Sequence, residues 1–263
     1  MGKNDFKNGL AFNGAKGVAT ICANIIFILD TSISMEGDRI EQLNYGMRES
    51  LKMLVEESLK QEIDVFVRVI KYNDNIKWVI GAPEKGVPVE EAVKKWKNLS
   101  TDGSTNTAGA IKESLKALRT EYFGNKNKKP IIILITDGDS NNRREMEKAT
   151  DMLKVALSGE SGREKTIRIA IGVEDYNEGE LKYFASVGTI KDDNGVRENA
   201  PFVFGVEDSD KIATIIKNVA VSSLASVNKT NPVTFDSSAD LVIKEETVVI
   251  DTSTNTTDFW TDN

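Results

Sequence analysis

The segment from Pro130 to Thr136 contains an unbroken apolar run, Ile131-Ile132-Ile133-Leu134-Ile135. A strand with one face in water alternates apolar and polar residues, whereas a strand covered on both faces is apolar throughout. The run therefore predicts a central strand of a parallel sheet, and Asp137 follows at its carboxyl end.

A second unbroken apolar run extends from Ile25 to Leu29 and ends in Asp30. Because neither run shows polar alternation, we expect the two strands to be parallel neighbours in the middle of the sheet. From Arg39 to Leu59 the apolar residues recur at i, i+3, i+4 and i+7, which is typical of an amphipathic helix.

Strand and helix patterns alternate along the rest of the chain. The strand pattern of residues 63–72 is followed by Asn73-Asp74-Asn75 and by apolar residues from Ile76 to Ile80, which predicts a hairpin at one edge. The alternation predicts an α/β fold with an open, doubly wound, mostly parallel sheet, one antiparallel edge strand and helices on both faces. Further helices are predicted at Val89–Trp96, Asn106–Tyr122, Arg143–Leu157, Glu178–Ala185 and Ser209–Val227, and strands at Thr166–Val173 and Phe202–Val206.

Three regions are predicted: an N-terminal extension (1–22), the α/β domain (23–228) and an acidic C-terminal tail (229–263). The tail carries Phe259 and Trp260, and from residue 230 its acidic residues outnumber a single Lys244. We therefore hypothesise that the tail is a docking or self-masking segment that occupies the binding site of its own or a neighbouring molecule. The alternative is a solvated, disordered end.

Composition excludes several classes of function. The 34 basic and 41 acidic residues give a net charge of −7, which argues against binding a nucleic-acid backbone. With one cysteine and no histidine, the chain lacks the usual zinc ligand sets, an internal disulfide and a Ser/His/Asp triad. Its longest mostly apolar run, Ala19 to Leu29, is too short to span a membrane. The first twenty residues do not form a secretory signal pattern, so we expect a cytoplasmic protein.

Polar residues follow both predicted central strands. Asp30-Thr31-Ser32-Ile33-Ser34 ends the first strand, Asp137 ends the second, and a Gly103-Ser104-Thr105-Asn106-Thr107 loop precedes a helix. Open α/β sheets bind ligands at the carboxyl edge, where these segments should converge. Two carboxylates and three hydroxyls suit a hard divalent cation, and Mg²⁺ fits best. The ion would keep a position open for an oxygen of an acidic partner, and this open metal position is the one that a self-masking tail would occupy.

With this pattern the chain resembles a von Willebrand factor A domain with an intact metal-ion-dependent adhesion site (MIDAS), over roughly residues 24–227. The resemblance implies a Rossmann-like fold and a bound Mg²⁺, with Mn²⁺ or Ca²⁺ as alternatives. It also implies five metal ligands, some of them acting through water: Asp30, Ser32, Ser34, Thr105 and Asp137. In length and loop spacing the chain is similar to the bacterial TerY proteins of tellurite-resistance clusters.

The resemblance implies a binding module without catalytic activity, which recruits a protein through that partner's Asp or Glu side chain. Similarity to TerY proteins further implies an intracellular stress-response role beside a kinase or phosphatase. Neither nucleic acid nor a membrane is expected as a partner. The family commonly has glycine at the position of Ile33, so we expect a strained, stiffer loop and an exposed apolar contact there.

An enzyme is the alternative. Asp137-Gly138-Asp139 after an apolar strand also resembles the nucleophile loop of haloacid-dehalogenase-like phosphohydrolases. Asp137 would then attack phosphorus, Asp139 would act as acid and base, and Mg²⁺ would bridge them. That loop normally follows the first strand of its domain, whereas several predicted strands precede Asp137 here.

Overall fold

The computed structural model describes residues 21–118, 130–138, 140–156, 166–192 and 195–227. Within these ranges the strands are β1 (Ile21–Asp30), β2 (Ile63–Tyr72), β3 (Ile76–Ile80), β4 (Val87–Pro88), β5 (Ile131–Thr136), β6 (Ile167–Val173), β7 (Val187–Asp192), β8 (Gly195–Pro201) and β9 (Val203–Val206). The helices are α1 (Asp38–Gln61), α2 (Val89–Lys95), α3 (Thr107–Leu115), α4 (Arg143–Val155), α5 (Glu178–Phe184) and α6 (Ile212–Val227).

The main sheet has the strand order β3-β2-β1-β5-β6-β9, and the short β4 pairs with β2. β1 lies between β2 and β5 and is parallel to both, with Asp30 opposite Tyr72 and Leu29 opposite Ile135. The prediction that the two apolar strands are parallel neighbours in the middle of the sheet is therefore confirmed. Asp30 and Asp137 consequently lie at the same edge of the sheet.

Both faces of the central strands are covered by helices. Ile25 and Phe27 of β1 belong to a core shared with α1 and α6, whereas Ile26 and Ile28 belong to a core shared with α3 and α4. All four side chains have no solvent exposure. Burial on both faces explains why the β1 sequence contains no polar alternation.

The predicted edge hairpin is confirmed. β3 pairs antiparallel with β2, and the backbone N–H of Asn75 donates to the side chain of Asn73 at 2.7 Å in the turn between them. Asparagine favours such turns because its side chain replaces a backbone acceptor.

Several predicted boundaries differ from the structure. The predicted helix Asn106–Tyr122 begins at Thr107 and ends at Leu115, followed by a turn to Leu118. β1 begins at Ile21, so two residues of the predicted N-terminal extension belong to the sheet. The antiparallel hairpin of β7 and β8 was not predicted.

The remainder of the extension (1–20) and the acidic tail lie outside the described residues. In the described part of the chain, no helix has the length and apolar character that membrane crossing requires.

The contact between α1 and α6 has no room for a side chain at Gly46. A Cβ atom on Gly46 would lie 2.7 Å from the Cα atom of Ala213 and 3.3 Å from its Cβ atom. A backbone atom cannot move aside as a flexible side chain can, so the two helices would have to separate.

We expect Gly46→Ala to lower the free energy of unfolding by about 1–3 kcal/mol through overpacking. This loss would outweigh the roughly 1 kcal/mol that alanine gains over glycine inside a helix. Urea unfolding measures the change. Gly179→Ala is the control, because Gly179 is an exposed helical glycine and its Cβ would meet only the Asn177 side chain, at 3.3 Å. Equal stability of Gly46→Ala and the unaltered protein would contradict the packing argument.

Candidate metal centre

Three loops meet at the carboxyl edge of the sheet. The backbone N–H of Asp102 donates to the carbonyl of Thr31 at 2.9 Å, and the N–H of Ile33 donates to the carbonyl of Gly103 at 3.0 Å. These bonds join the loop after β1 to the loop before α3. The loop after β5 is joined to the same segment by the bond from Asn141 N–H to the carbonyl of Thr105, at 3.0 Å.

Asp30 lies at the base of this cluster without any solvent exposure. One carboxylate oxygen accepts the backbone N–H of Ser32 at 2.8 Å. The other accepts the hydroxyls of Thr136 at 2.6 Å and Tyr72 at 3.2 Å. The carboxylate is therefore held in one orientation by β2, β5 and its own loop.

A chain of hydrogen bonds joins four of the five predicted ligands. The hydroxyls of Ser32 and Ser34 lie 3.0 Å apart, and the Ser34 hydroxyl donates to Asp137 Oδ1 at 2.8 Å. Together with the bond from Ser32 to Asp30, this network spans residues 107 positions apart at its extremes. The structure thus brings Asp30, Ser32, Ser34 and Asp137 together, as the sequence predicts.

Thr105, the fifth predicted ligand, lies between the other two loops and is 9% exposed. Its hydroxyl makes no hydrogen bond within the described part of the chain, which leaves this oxygen available to a ligand. Asn106 fixes the start of α3, because its side chain accepts the N–H of Gly109 at 3.0 Å. Asp74 holds the same loop from the β2–β3 turn by accepting both the N–H and the hydroxyl of Ser104. Sequence analysis did not identify this role of Asp74.

The electrostatics of the cluster favour a bound cation. Burial raises the pKa of the Asp30 carboxyl above its usual value, and the Asp137 carboxylate acts in the same direction. Hydrogen bonds from Ser32 and Thr136 oppose the rise. A nearby positive charge stabilises the ionised form of two carboxylates in a largely buried cluster. Carboxylate and hydroxyl oxygens are also ligands that suit Mg²⁺. The residues present therefore fit a divalent ion.

Sequence analysis missed two charged residues at this edge. Arg39, in the first turn of α1, donates to Asp137 Oδ2 at 2.8 Å and to the carbonyl of Ser34 at 3.0 Å. The same guanidinium is paired with Glu174, with Nε 2.7 Å from Glu174 Oε2. The sequence did contain a signal for Glu174, because this residue directly follows a predicted strand. The carboxyl end of that strand lies at the same edge of the sheet.

Ile33 is 64% exposed, so the exposure predicted for this side chain is confirmed. The expected backbone strain is wrong, however. Ile33 begins a 3₁₀ turn, Ile33–Met35, and has no positive φ. The described non-glycine residues with positive φ are Glu62, Glu174 and Asn199. In this turn a β-branched residue is therefore accommodated without strain.

Asp139, which the phosphohydrolase alternative requires, lies outside the described residues. Among the residues that are described, no three acidic or cysteine side chains are grouped so that they alone could hold a metal. An ion at this edge would therefore depend on hydroxyl oxygens as well as on the two carboxylates.

The chain belongs to the von Willebrand factor type A domain family, whose model matches residues 24–218. Domains of this family are mostly interaction modules rather than enzymes, and the match does not favour the phosphohydrolase alternative. The chain is 27% identical over 154 residues to inter-alpha-trypsin inhibitor heavy chain H3 of Mesocricetus auratus and 28% identical over 156 residues to that of Bos taurus. These matches cover 56% of this chain but only 17% and 16% of the two relatives.

Solved structures share the fold. A von Willebrand factor type A protein from Catenulispora acidiphila matches with a TM-score of 0.58 and 15% identity, over 78% of this chain and 43% of that one. Proximal thread matrix protein 1 from the mussel byssus, in a structure with a zinc-occupied MIDAS motif, matches with a TM-score of 0.53 and 18% identity. That match covers 78% of this chain and 46% of the mussel chain.

The hydrogen bond from Thr136 to Asp30 is testable by an isosteric substitution. Thr136→Val removes the 2.6 Å bond from a buried carboxylate, and we expect the free energy of unfolding at neutral pH to fall by about 1–3 kcal/mol. Thr150→Val is the control, because among the described residues the buried Thr150 hydroxyl hydrogen-bonds only to the Met146 sulfur, at 3.6 Å. Urea unfolding compares the two variants. If both change stability equally, the Thr136 bond has no special role in holding Asp30.

Proposed function

We propose that the protein is a Mg²⁺-dependent protein-interaction module, in which the metal binds a carboxylate of the partner. Asp30, Ser32, Ser34, Thr105 and Asp137 would hold the ion, in part through water. The observation that carries this proposal is the network joining Asp30 to Asp137, beside a Thr105 hydroxyl that makes no hydrogen bond to any described residue. The zinc-occupied motif of the mussel relative supports it.

The ion would supply a positive charge that neutralises the two carboxylates and attracts an outside oxygen anion. The protein residues do the remaining work. Thr136 and Tyr72 orient Asp30, and the exposed Ile33 side chain offers an apolar contact next to the site. A partner segment with an acidic residue beside an apolar one would match both features.

The ligand assignment predicts graded effects on Mg²⁺ affinity. Losing one hydroxyl in Ser34→Ala or Thr105→Ala should weaken binding by about 1–3 kcal/mol, because water replaces the lost oxygen only in part. Asp30→Asn should abolish binding, because it removes a charge while preserving the shape of the side chain. Isothermal titration calorimetry measures affinity, and circular dichroism checks that each variant is folded.

The control is Ser100→Ala, which removes an exposed hydroxyl from the loop that also carries Thr105. Its Mg²⁺ affinity should equal that of the unaltered protein. Undiminished Mg²⁺ binding by folded Asp30→Asn would contradict the proposed site.

Partner recognition is tested with peptide pairs that differ only by Glu against Gln or Asp against Asn. The full chain should bind acidic members in Mg²⁺, lose them when a chelator is added, and ignore the amide members. Ile33→Ser should weaken peptide binding several-fold while Mg²⁺ affinity stays unchanged, because Ile33 contributes apolar area rather than a ligand. Binding that survives the chelator would place recognition elsewhere on the surface.

The physiological partner would be a kinase or phosphatase of an intracellular stress or tellurite-resistance system. This narrower part of the proposal is supported by the similarity to TerY proteins in length and loop spacing. Elution with chelator from immobilised protein, followed by mass spectrometry of the eluate, tests it. The Asp30→Asn variant provides the background, and enrichment of neither enzyme class over that background would contradict this part.

A further inference from the structure

Arg39 and Glu174 are not among the proposed metal ligands, yet Arg39 contacts one of those ligands and Glu174 pairs with Arg39. A single nitrogen of Arg39, Nη1, donates to Asp137 Oδ2 at 2.8 Å and to the carbonyl of Ser34 at 3.0 Å. The remaining guanidinium nitrogens face Glu174, through Nε at 2.7 Å and through Nη2. Arg39 thus bridges a proposed metal ligand and a carboxylate outside the ligand set.

The bond from Arg39 to Asp137 places a positive charge on a carboxylate that would otherwise attract the metal ion. Asp137 has two oxygens, of which Oδ1 accepts the Ser34 hydroxyl and Oδ2 accepts Arg39. A divalent ion bound to Asp137 and a guanidinium on the same carboxylate would repel each other at short range. Binding of the ion and the bond from Arg39 to Asp137 are therefore in competition.

Glu174 accepts the other side of the guanidinium from a fixed backbone position directly after β6. It follows β6 in the left-handed region, with φ 53°, a conformation that costs energy for any residue except glycine. The backbone is fixed there, because the Glu174 N–H donates to the carbonyl of Val206 at 2.6 Å and its own carbonyl accepts the N–H of Tyr176 at 2.9 Å. The Arg39 and Glu174 side chains are 24% and 27% exposed, so neither is locked inside the core.

We propose that Arg39 is the counter-cation of the metal-free site and that Mg²⁺ displaces it from Asp137, while Glu174 keeps the guanidinium at the rim. The proposal rests on the proposed function for the identity of the ion and of its ligand. Arg39 sets how tightly the protein binds Mg²⁺: it stabilises the metal-free form and so lowers the affinity. Glu174 acts in the opposite direction by holding the displaced charge.

The test is calorimetric titration of Mg²⁺ into the full chain carrying Arg39→Gln, Glu174→Gln or both. Arg39→Gln should bind Mg²⁺ more tightly, on the order of tenfold, because the competing charge is gone. Glu174→Gln should bind several-fold more weakly, because the displaced guanidinium then has lost its carboxylate partner. In the double variant the effect of Glu174→Gln should shrink, since no arginine remains to be held. Arg48→Gln is the matched control, because Arg48 is an exposed arginine of the same helix that donates to Asn98.

Thermal unfolding separates this role from a purely structural one. Arg39→Gln should lower the melting temperature of the metal-free protein and leave that of the Mg²⁺-loaded protein nearly unchanged. An equal drop in both forms, or an Arg39→Gln affinity no higher than that of the unaltered protein, overturns the inference while the metal site stands. Strictly additive effects of the two substitutions overturn the role of Glu174. Absence of Mg²⁺ binding by the unaltered protein overturns the proposed function and this inference together.

Discussion

The parallel pairing of β1 with β5 determines where the core and the candidate site lie. It places two strands without polar alternation side by side, covered by α1 and α6 on one face and by α3 and α4 on the other. Because the strands are parallel and adjacent, both end at the same edge, where Asp30 and Asp137 leave the apolar layer. The same burial that stabilises the sheet brings two carboxylates together. Their mutual repulsion and their loss of solvation must be compensated by hydrogen bonds or by positive charge.

The compensation is distributed over several elements. Thr136 and Tyr72 donate to Asp30, the Ser34 hydroxyl donates to Asp137, and Arg39 supplies a positive charge. A bound divalent ion would provide stronger neutralisation. If the proposed Mg²⁺ binds here, it must replace this arrangement of hydrogen bonds and ion pairs, so the free energy of binding would be the difference between two neutralised states. The affinity would then depend on residues that never touch the ion.

Much of this site could be predicted from sequence because its main determinants are local. Asp30 and Asp137 each follow an unbroken apolar run, and the serines lie within four residues of Asp30. The ion pair of Arg39 with Glu174 joins residues 135 positions apart and leaves no periodic signal. The hairpin of β7 and β8 was not predicted either, because its strands mix polar and apolar residues and so give no clear strand pattern. The backbone strain predicted at Ile33 was wrong. The prediction rested on the glycine that the family commonly has at this position, whereas a 3₁₀ turn needs no residue in the left-handed region.

Anomalous diffraction from crystals of the full chain grown with Mn²⁺ would show whether a metal ion binds at the carboxyl edge of the sheet. Mn²⁺ prefers the same oxygen donors as Mg²⁺ and gives a measurable anomalous signal. We expect a peak at the carboxyl edge of β1 and β5, within coordination distance of Ser32, Ser34 or Thr105, and we expect Arg39 to be withdrawn from Asp137. A fully occupied ion elsewhere on the protein, with none at this edge, would contradict the proposed metal site.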